Sequence, residues 1–391
     1  MKDFSKIKAI VATHVTISLP SNSEVYGQCH AIADFLKQNA KELIFIRHPL
    51  NGLYYSRAEL FADNKAEDLK IIRTKTKGIM RYGTDIFSTA LTVFSQKGKW
   101  DLFIGVNSLN TFSGLILKWL GKVRYVIFYT ADYVPERFSS RLINNIYHFF
   151  DRFCIKKADF VWNISQAQIE IRKKQGVPDN KNIYVPHGID TKYVTYQPFE
   201  KIDRYSFVTA ANLSKAFNYK LIIDAFKGVL VKIPGAKLII IGTGELEEEI
   251  SDYIKINSLE HNVLMPGWMP HDKLINFIST CGIGLAIYTS LCSWTNFSDS
   301  FKTKEYLGCG CPVIISGALG AIREAEASNA VIAVEQNKES LHKAMLKLLE
   351  DDNLYLQYRN NAINFMKDLD WSKIYSRSLY FIYPEETRAG V

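Results

Sequence analysis

The sequence predicts an α/β protein made of two successive doubly wound units, and three observations carry that prediction. The chain has 391 residues, about two domains at roughly 150 residues each. Its composition, 47% hydrophobic and 23% charged with 22 Gly and 11 Pro, is that of ordinary globular proteins and excludes a disordered, fibrous or low-complexity chain. Short apolar, β-branched runs alternate with longer segments of helical period, and the alternation breaks once and then starts again.

The first series places strands over residues 9–15, 42–47, 69–73, 102–106, 123–128, 160–164 and 183–185. Each is short and rich in Ile, Val, Leu or Phe, as strands covered on both faces of a parallel sheet must be. Between them lie a helix over 28–38, with Ile32, Phe35 and Leu36 on one apolar face, and an aromatic-rich helix over 140–157. A polar, proline-bearing stretch, 190–205, interrupts the pattern and reads as a linker. Strands resume at 206–210, 237–241, 263–265, 282–286, 312–315 and 331–334, with helices over 219–232, 246–257, 271–280, 301–308 and 338–351. The domains are therefore expected at 1–190 and 191–369. A terminal helix within 370–391, with Ile374, Leu379 and Ile382 apolar, can pack back on the first domain or lie on the second.

The formal net charge of +8 is unevenly spread. Residues 1–195 hold 28 Lys and Arg against 17 Asp and Glu, a net of +11; the remainder holds 20 against 23, a net of −3. The first half calls for an anionic or membrane-apposed partner, and the second for a ligand held by local contacts. No nucleic-acid recognition motif accompanies the charge, so nucleic acid is not an expected partner. Basic and aromatic residues interleave in expected helices at 117–124 and 137–157. That pattern suits a peripheral membrane contact, though for any one helix a buried aromatic face with solvated lysines is the stronger account.

Cys29, Cys154, Cys281, Cys292, Cys309 and Cys311 lack the spacing of zinc or redox pairs and read as reduced, mostly buried thiols. No metal is expected, since no Asp-x-Asp pair follows a strand convincingly and no His-x3-His spacing occurs. The apolar run at 9–12 is too short for a signal peptide, and no stretch nears the roughly 20 apolar residues of a spanning helix. A cytoplasmic protein with at most peripheral membrane contact is expected.

Chemistry concentrates in residues 294–315, where a polar Ser/Asp loop opens a helix that ends in Gly-x-Cys-Pro before a buried strand. Unpaired N–H groups and a partial positive charge at a helix start suit a phosphate, and Asp299 and Ser300 are good caps for it. Glu305 stands one turn beyond Lys302, so an ammonium and a carboxylate share one helix face. Lysine for a diphosphate and carboxylate for ribose hydroxyls are the two polar needs of a nucleotide. A plain capped helix with a solvated Lys/Glu face is the alternative for this stretch taken alone.

Residues 299–314, Asp-Ser-Phe-Lys-Thr-Lys-Glu-Tyr-Leu-Gly-Cys-Gly-Cys-Pro-Val-Ile, resemble the signature Ser-Pro-x-Lys-x-x-Glu-Tyr-Leu-Ala-x-Gly-x-Pro-Val-Ile of GT-B fold glycosyltransferases, particularly the retaining family 4. Lys302, Glu305, Tyr306, Leu307, Gly310 and Pro312 fall in register. Further landmarks follow in the family's order: the Val-Pro-His-Gly run around His187 and Gly188, the strand and Gly242-x-Gly244 turn, and the loop Gly267-Trp268-Met269. The resemblance implies two Rossmann-like domains facing an interdomain cleft. It implies hexose transfer from a nucleoside diphosphate sugar, the co-substrate in place of any cofactor, to a glycan or lipid-linked acceptor of cell-surface polysaccharide or glycolipid synthesis. Lys302, with loop residues Asp299, Ser300 and Phe301, would stabilise the departing diphosphate, Glu305 would hold the ribose, and Gly267, Trp268 and Met269 the base. In the first domain, Gly27 and Asp132 would line the wall facing donor and acceptor, with Arg137 near an anionic group. An ordinary turn is the competing account of each.

Two departures accompany the match. Asn212 stands where the family has an Arg, and Lys215 only approximately continues that diphosphate clamp. The first of two glutamates separated by seven residues is Phe297 here. Two alternatives stay open: a nucleotide-sugar epimerase, which shares the two-domain architecture, and a non-catalytic nucleotide-binding partner subunit, which these losses favour.

Overall fold

The computed structural model describes residues 4–18, 23–50, 54–72, 79–191, 194, 196–289, 293–317 and 322–383. The chain forms two units, one made of Met1–Val185 with Trp371–Val391 and the other of Pro186–Asp370. The crossing at 185/186 precedes the polar stretch 190–205, whose described residues lie in the second unit.

The first unit runs β1 (Lys8–Val15), β2 (Ile17–Ser18), β3 (Ser23–Glu24), α1 (Gln28–Asn39), β4 (Glu42–Pro49), β5 (Arg57–Ala62), β6 (Lys65–Asp68), α2 (Ile79–Phe94), β7 (Trp100–Val106), α3 (Asn107–Trp119), β8 (Val123–Thr130), α4 (Arg141–Lys157), β9 (Phe160–Asn163), α5 (Gln166–Lys174) and β10 (Asn182–Tyr184). Its sheet has the order β10-β9-β8-β7-β1-β4-β5-β6. All neighbours are parallel except β5 and β6, which turn back antiparallel. Apolar runs explain the centre: Ile10, Phe103, Val126, Phe128 and Val161 are fully buried, each contributing about 1.5–3 kcal/mol over an exposed position.

The strand expected at 69–73 is not there. Residues 69–72 form no strand, and Arg73 lies outside the described residues. In its place a hairpin, β5 and β6, closes through Asp63 and Asn64, both in the left-handed region (φ 49° and 59°) that a tight two-residue hairpin turn needs. β6, Lys-Ala-Glu-Asp, is exposed throughout. A charged edge strand of this kind resists pairing with other chains and leaves no apolar signal. The helix expected over 117–124 is also absent as one element: α3 ends at Trp119, Gly121 turns with φ +70°, and β8 begins at Val123.

The second unit runs β11 (Asp203–Ala210), α6 (Tyr219–Lys232), β12 (Lys237–Ile241), α7 (Glu247–Ile256), β13 (Val263–Gly267), α8 (His271–Ile278), β14 (Cys281–Ile287), α9 (Phe301–Gly308), β15 (Val313–Ser316), α10 (Ile322–Ala327), β16 (Val331–Val334), α11 (Lys338–Glu350) and α12 (Asp352–Met366). The sheet is parallel throughout, order β13-β12-β11-β14-β15-β16. Capping fixes the helix starts that sequence reading found: Asn218 accepts from the Leu221 N–H (3.1 Å) and Ser300 from the Thr303 N–H (3.1 Å). α10 and α12 have no counterpart among the predicted elements.

The last helix, α13 (Trp371–Tyr380), belongs to the first unit and packs on α1. The Tyr375 ring lies 5.9 Å from Phe35 and its hydroxyl donates to the Gln28 carbonyl (3.0 Å). The five described cysteines are unbridged, and four of them are buried. Burial pushes the Cys281 thiol up to about 12. Cys292 lies outside the described residues. Among the described residues there is no group of three or more His, Cys, Asp or Glu that could hold a metal, and no helix long and apolar enough to cross a membrane.

Candidate functional site

In the second sheet the strand order reverses at β11 and β14, and ligands of open α/β sheets bind outside the carboxyl ends at such a point. Two segments meet there. The loop after β11 pairs Phe217 with Tyr288 after β14, and the Asn218 N–H donates to the Ile287 carbonyl (3.0 Å). α9 follows β14 and brings the Lys302 Nζ over the Phe217 ring at 4.6 Å. Burial pushes the Lys302 ammonium below its ordinary range, against the pull of Glu305. Lys215, Phe217, Asn218, Tyr219, Lys220 and Thr289 line a pocket of about 340 Å³ beside it.

Glu305, nearly buried, gives its Oε1 to the His271 Nε2 at 2.8 Å. That hydrogen bond raises the His271 pKa, with burial opposing it. His271 stands 34 residues before its partner. It was not among the predicted site residues, and no local signal marks it. Tyr306 anchors the helix from below: its hydroxyl accepts the Ala210 N–H at 2.6 Å, and its ring lies where a Cβ on Gly284 would come within 2.6 Å.

The loop residues divide. Ser300 caps α9 and meets the Tyr288 hydroxyl at 2.6 Å. Phe301 sets its ring 5.5 Å from His187. Asp299, expected among the ligand contacts, is 5% exposed and its Oδ2 accepts the His187 N–H at 2.8 Å. It therefore shapes the loop. The side chain of Trp294, where the motif begins, lies outside the described residues.

The neighbouring loops stack by backbone. Ala211 and Leu213 donate to the carbonyls of Ile241 and Thr243, and Gly242 to that of Gly267. Gly242 (φ +132°) is required here, because a Cβ would sit 1.9 Å from the Ala211 carbonyl oxygen. Gly267 turns with φ +79° and leaves the Trp268 side chain exposed, with Met269 half-buried beyond it. Asn212 and Lys215 are both exposed on the loop after β11.

In the first unit, the predicted residues follow β1, beyond the short β2–β3 hairpin, and β8. Gly27 caps α1 in extended backbone with open space around its Cα, so neither conformation nor crowding requires glycine. Asp132 is held by Arg137 Nη1 (3.1 Å) and by Asn107 Nδ2 (3.2 Å), which makes the expected pair of ligand groups partners of each other. Asn107 is itself left-handed (φ 63°) and also accepts the Ala131 N–H (3.0 Å). Beside it lies a polar cluster that was not predicted: His14 meets Asn110 (3.0 Å) and Asp85 (3.3 Å), while His48 meets Ser56 and Thr89 (both 2.8 Å) and Asp85 (3.4 Å). Burial pushes His48 down to about 3, against the pull of Asp85. Residues 21–22 of the glycine loop lie outside the described residues.

With this geometry in hand, residues 197–365, inside the second unit, match the family model described as Glycosyl transferases group 1. The second unit is thus similar to that family, and the fold, two Rossmann-like units, is the GT-B architecture. Over 254 residues it is 26% identical to the poly(glycerol-phosphate) alpha-glucosyltransferase of Bacillus subtilis, covering 58% of this chain and 35% of that protein. Over 254 residues it is 24% identical to the N-acetylgalactosamine-N,N'-diacetylbacillosaminyl-diphospho-undecaprenol 4-alpha-N-acetylgalactosaminyltransferase of Campylobacter jejuni, covering 61% and 65%. The chain thus spans about a third of the first relative's length and just under two thirds of the second's. Among solved structures, Anabaena Alr3699/HepE in complex with UDP aligns over 97% of this chain and 100% of that one, with a TM-score of 0.69 and 14% identity.

Proposed function

We propose that the chain transfers a hexose from a nucleoside diphosphate sugar, a uridine diphosphate hexose in the first instance, to a glycan or lipid-linked acceptor in cell-surface polysaccharide or glycolipid synthesis, with retention at the anomeric carbon. The observation that carries this reading is Lys302, poised at the start of α9 where the second sheet reverses. A diphosphate leaving group gains negative charge as the glycosidic bond breaks. Helix-start N–H groups and one lysine stabilise that charge without a metal. Glu305, oriented by His271, is placed to accept ribose hydroxyls. Gly267, Trp268 and Met269 serve the base, Asn212 and Lys215 flank the diphosphate, and Gly27 and Asp132 serve the acceptor side. UDP bound to the HepE neighbour, and relatives named for sugar transfer to a glycerol-phosphate polymer and to a diphospho-undecaprenol glycan, support this choice of donor and acceptor.

The test is a thermal-shift panel with UDP, GDP, ADP and their sugars, followed by an NMR time course with the stabilising donor, with and without a candidate acceptor. Stabilisation by UDP and transfer only with acceptor are expected. Conversion of donor alone would establish the epimerase, and no stabilisation by any nucleotide overturns the reading.

A further inference from the structure

Helix α2 is built inside out. A surface helix of a soluble protein turns its apolar stripe to the core and its polar face to water. In α2, Arg81, Asp85, Ser88, Thr89 and Thr92 are buried, while Met80, Phe87, Leu91 and Phe94, all on one face by spacing, point to solvent, Phe87 being 63% exposed. α4 repeats the arrangement in part, with Leu142, Ile146 and Phe149 exposed at helical spacing over a buried Asp151. α3 packs between these two helices, and its end carries exposed Trp119 and Leu120. Exposed apolar side chains therefore stand on three neighbouring helices of the first unit, more than the single scattered apolar residues of an ordinary surface.

The exposed charge carried on these helices and their closing turns has one sign, with Asp159 beyond α4 held by Lys118. In residues 79–99, 107–124 and 141–157 the only acids are Asp85 and Asp151, and both are buried, the first against Arg81, His14 and His48 and the second against Arg172. Lys97, Lys99, Arg141, Arg152, Lys156 and Lys157 are exposed in these segments. We propose that this face of α2, α3 and α4 seats the first unit on an anionic lipid bilayer, with the aromatic and aliphatic side chains in the interfacial layer and the lysines and arginines on lipid phosphates. Apolar side chains bordered by cations are the composition of interfacial helices. A second copy of the chain fits poorly, since a self-paired face would bring these cations together. The surface stands on exposure and charge alone; that it delivers a lipid-linked acceptor to the enzyme rests on the transferase reading.

The test is co-sedimentation of the full chain with phosphatidylcholine vesicles, with and without phosphatidylglycerol. Wild type is expected to sediment with the anionic vesicles and to be released by salt. A Phe87→Asp, Leu91→Asp double variant should lose about tenfold or more in partitioning, close to 1.4 kcal/mol, while its melting and its stabilisation by UDP are unchanged. Wild type left in the supernatant, variants that sediment as well as wild type, or a lipid-free dimer that the variants dissociate would each overturn the proposal. Should the charged variants melt early, quenching by brominated lipid is read in unaltered protein against Trp119→Phe. Quenching that the substitution removes supports the surface, and equal quenching in both overturns it. Vesicle binding without any nucleotide stabilisation sinks the transferase reading and leaves the surface standing.

Discussion

Two histidines, one in each unit, show how differently the units treat charge at the carboxyl ends of their sheets. His48 in the first unit is fully buried between the hydroxyls of Ser56 and Thr89, and burial pushes it down to about 3 although Asp85 stands 3.4 Å away. His271 in the second is partly exposed, bonded to Glu305, and raised. Desolvation decides the first and a carboxylate partner the second. The first unit turns the polar residues of α2 inward beneath exposed apolar side chains, and the second sets an ammonium and a carboxylate one turn apart on α9, Lys302 half-buried and Glu305 buried.

The largest test of this contrast is acid. His48 stays neutral in the folded chain while the unfolded chain protonates at about its ordinary 6.5. Its contribution is therefore complete above that value and is lost as pH falls toward about 3, on the order of 5 kcal/mol at the limit. Urea unfolding should show an acid-sensitive transition that His48→Gln flattens, and an unchanged acid profile in the variant would break the comparison. Lys302→Ala comes next: loss of one preorganised donor should lower turnover about 100- to 1000-fold, read as UDP release. Wild-type turnover would leave the second unit with no charged function at its edge.

Tyr306→Phe should destabilise the chain by roughly 1–3 kcal/mol in denaturant unfolding, because the buried Ala210 N–H loses its acceptor. The smallest effect belongs to His271→Gln. A raised histidine stabilises below its unfolded pKa and loses that contribution as pH rises through its folded one. Wild type should then exceed the variant by a few tenths of a kcal/mol below about pH 6.5, after solvent screening, and match it in alkali. A difference that grew with pH would reverse the assigned sign.

Where local interactions decide, the sequence was readable. Helices α6 and α9 begin and end where their caps and apolar spacing put them, and Lys302 and Glu305 were found together because one turn of helix separates them. Where distant segments decide, it was silent. The His14 contacts span 71 and 96 residues, and the clasp on Glu305 comes from a helix 34 residues away. Asp299 was read as a ligand contact from its polar loop; that its Oδ2 meets the His187 N–H, 112 residues away in sequence, only the fold decides. The hairpin of β5 and β6 was missed because a charged edge strand carries no apolar period.

By itself the sequence determined the alternating strands and helices, the Ser-capped, lysine-bearing start of α9, and the concentration of positive charge in the first half. These follow from periodicity, capping and composition, which act over a few residues. Tertiary structure alone decided which side of α2 meets water. Its period shows that two faces exist, but Asp85 goes inside where His14 from β1, His48 from β4 and Arg81 one turn back all meet it, and that leaves Phe87 and Leu91 outside.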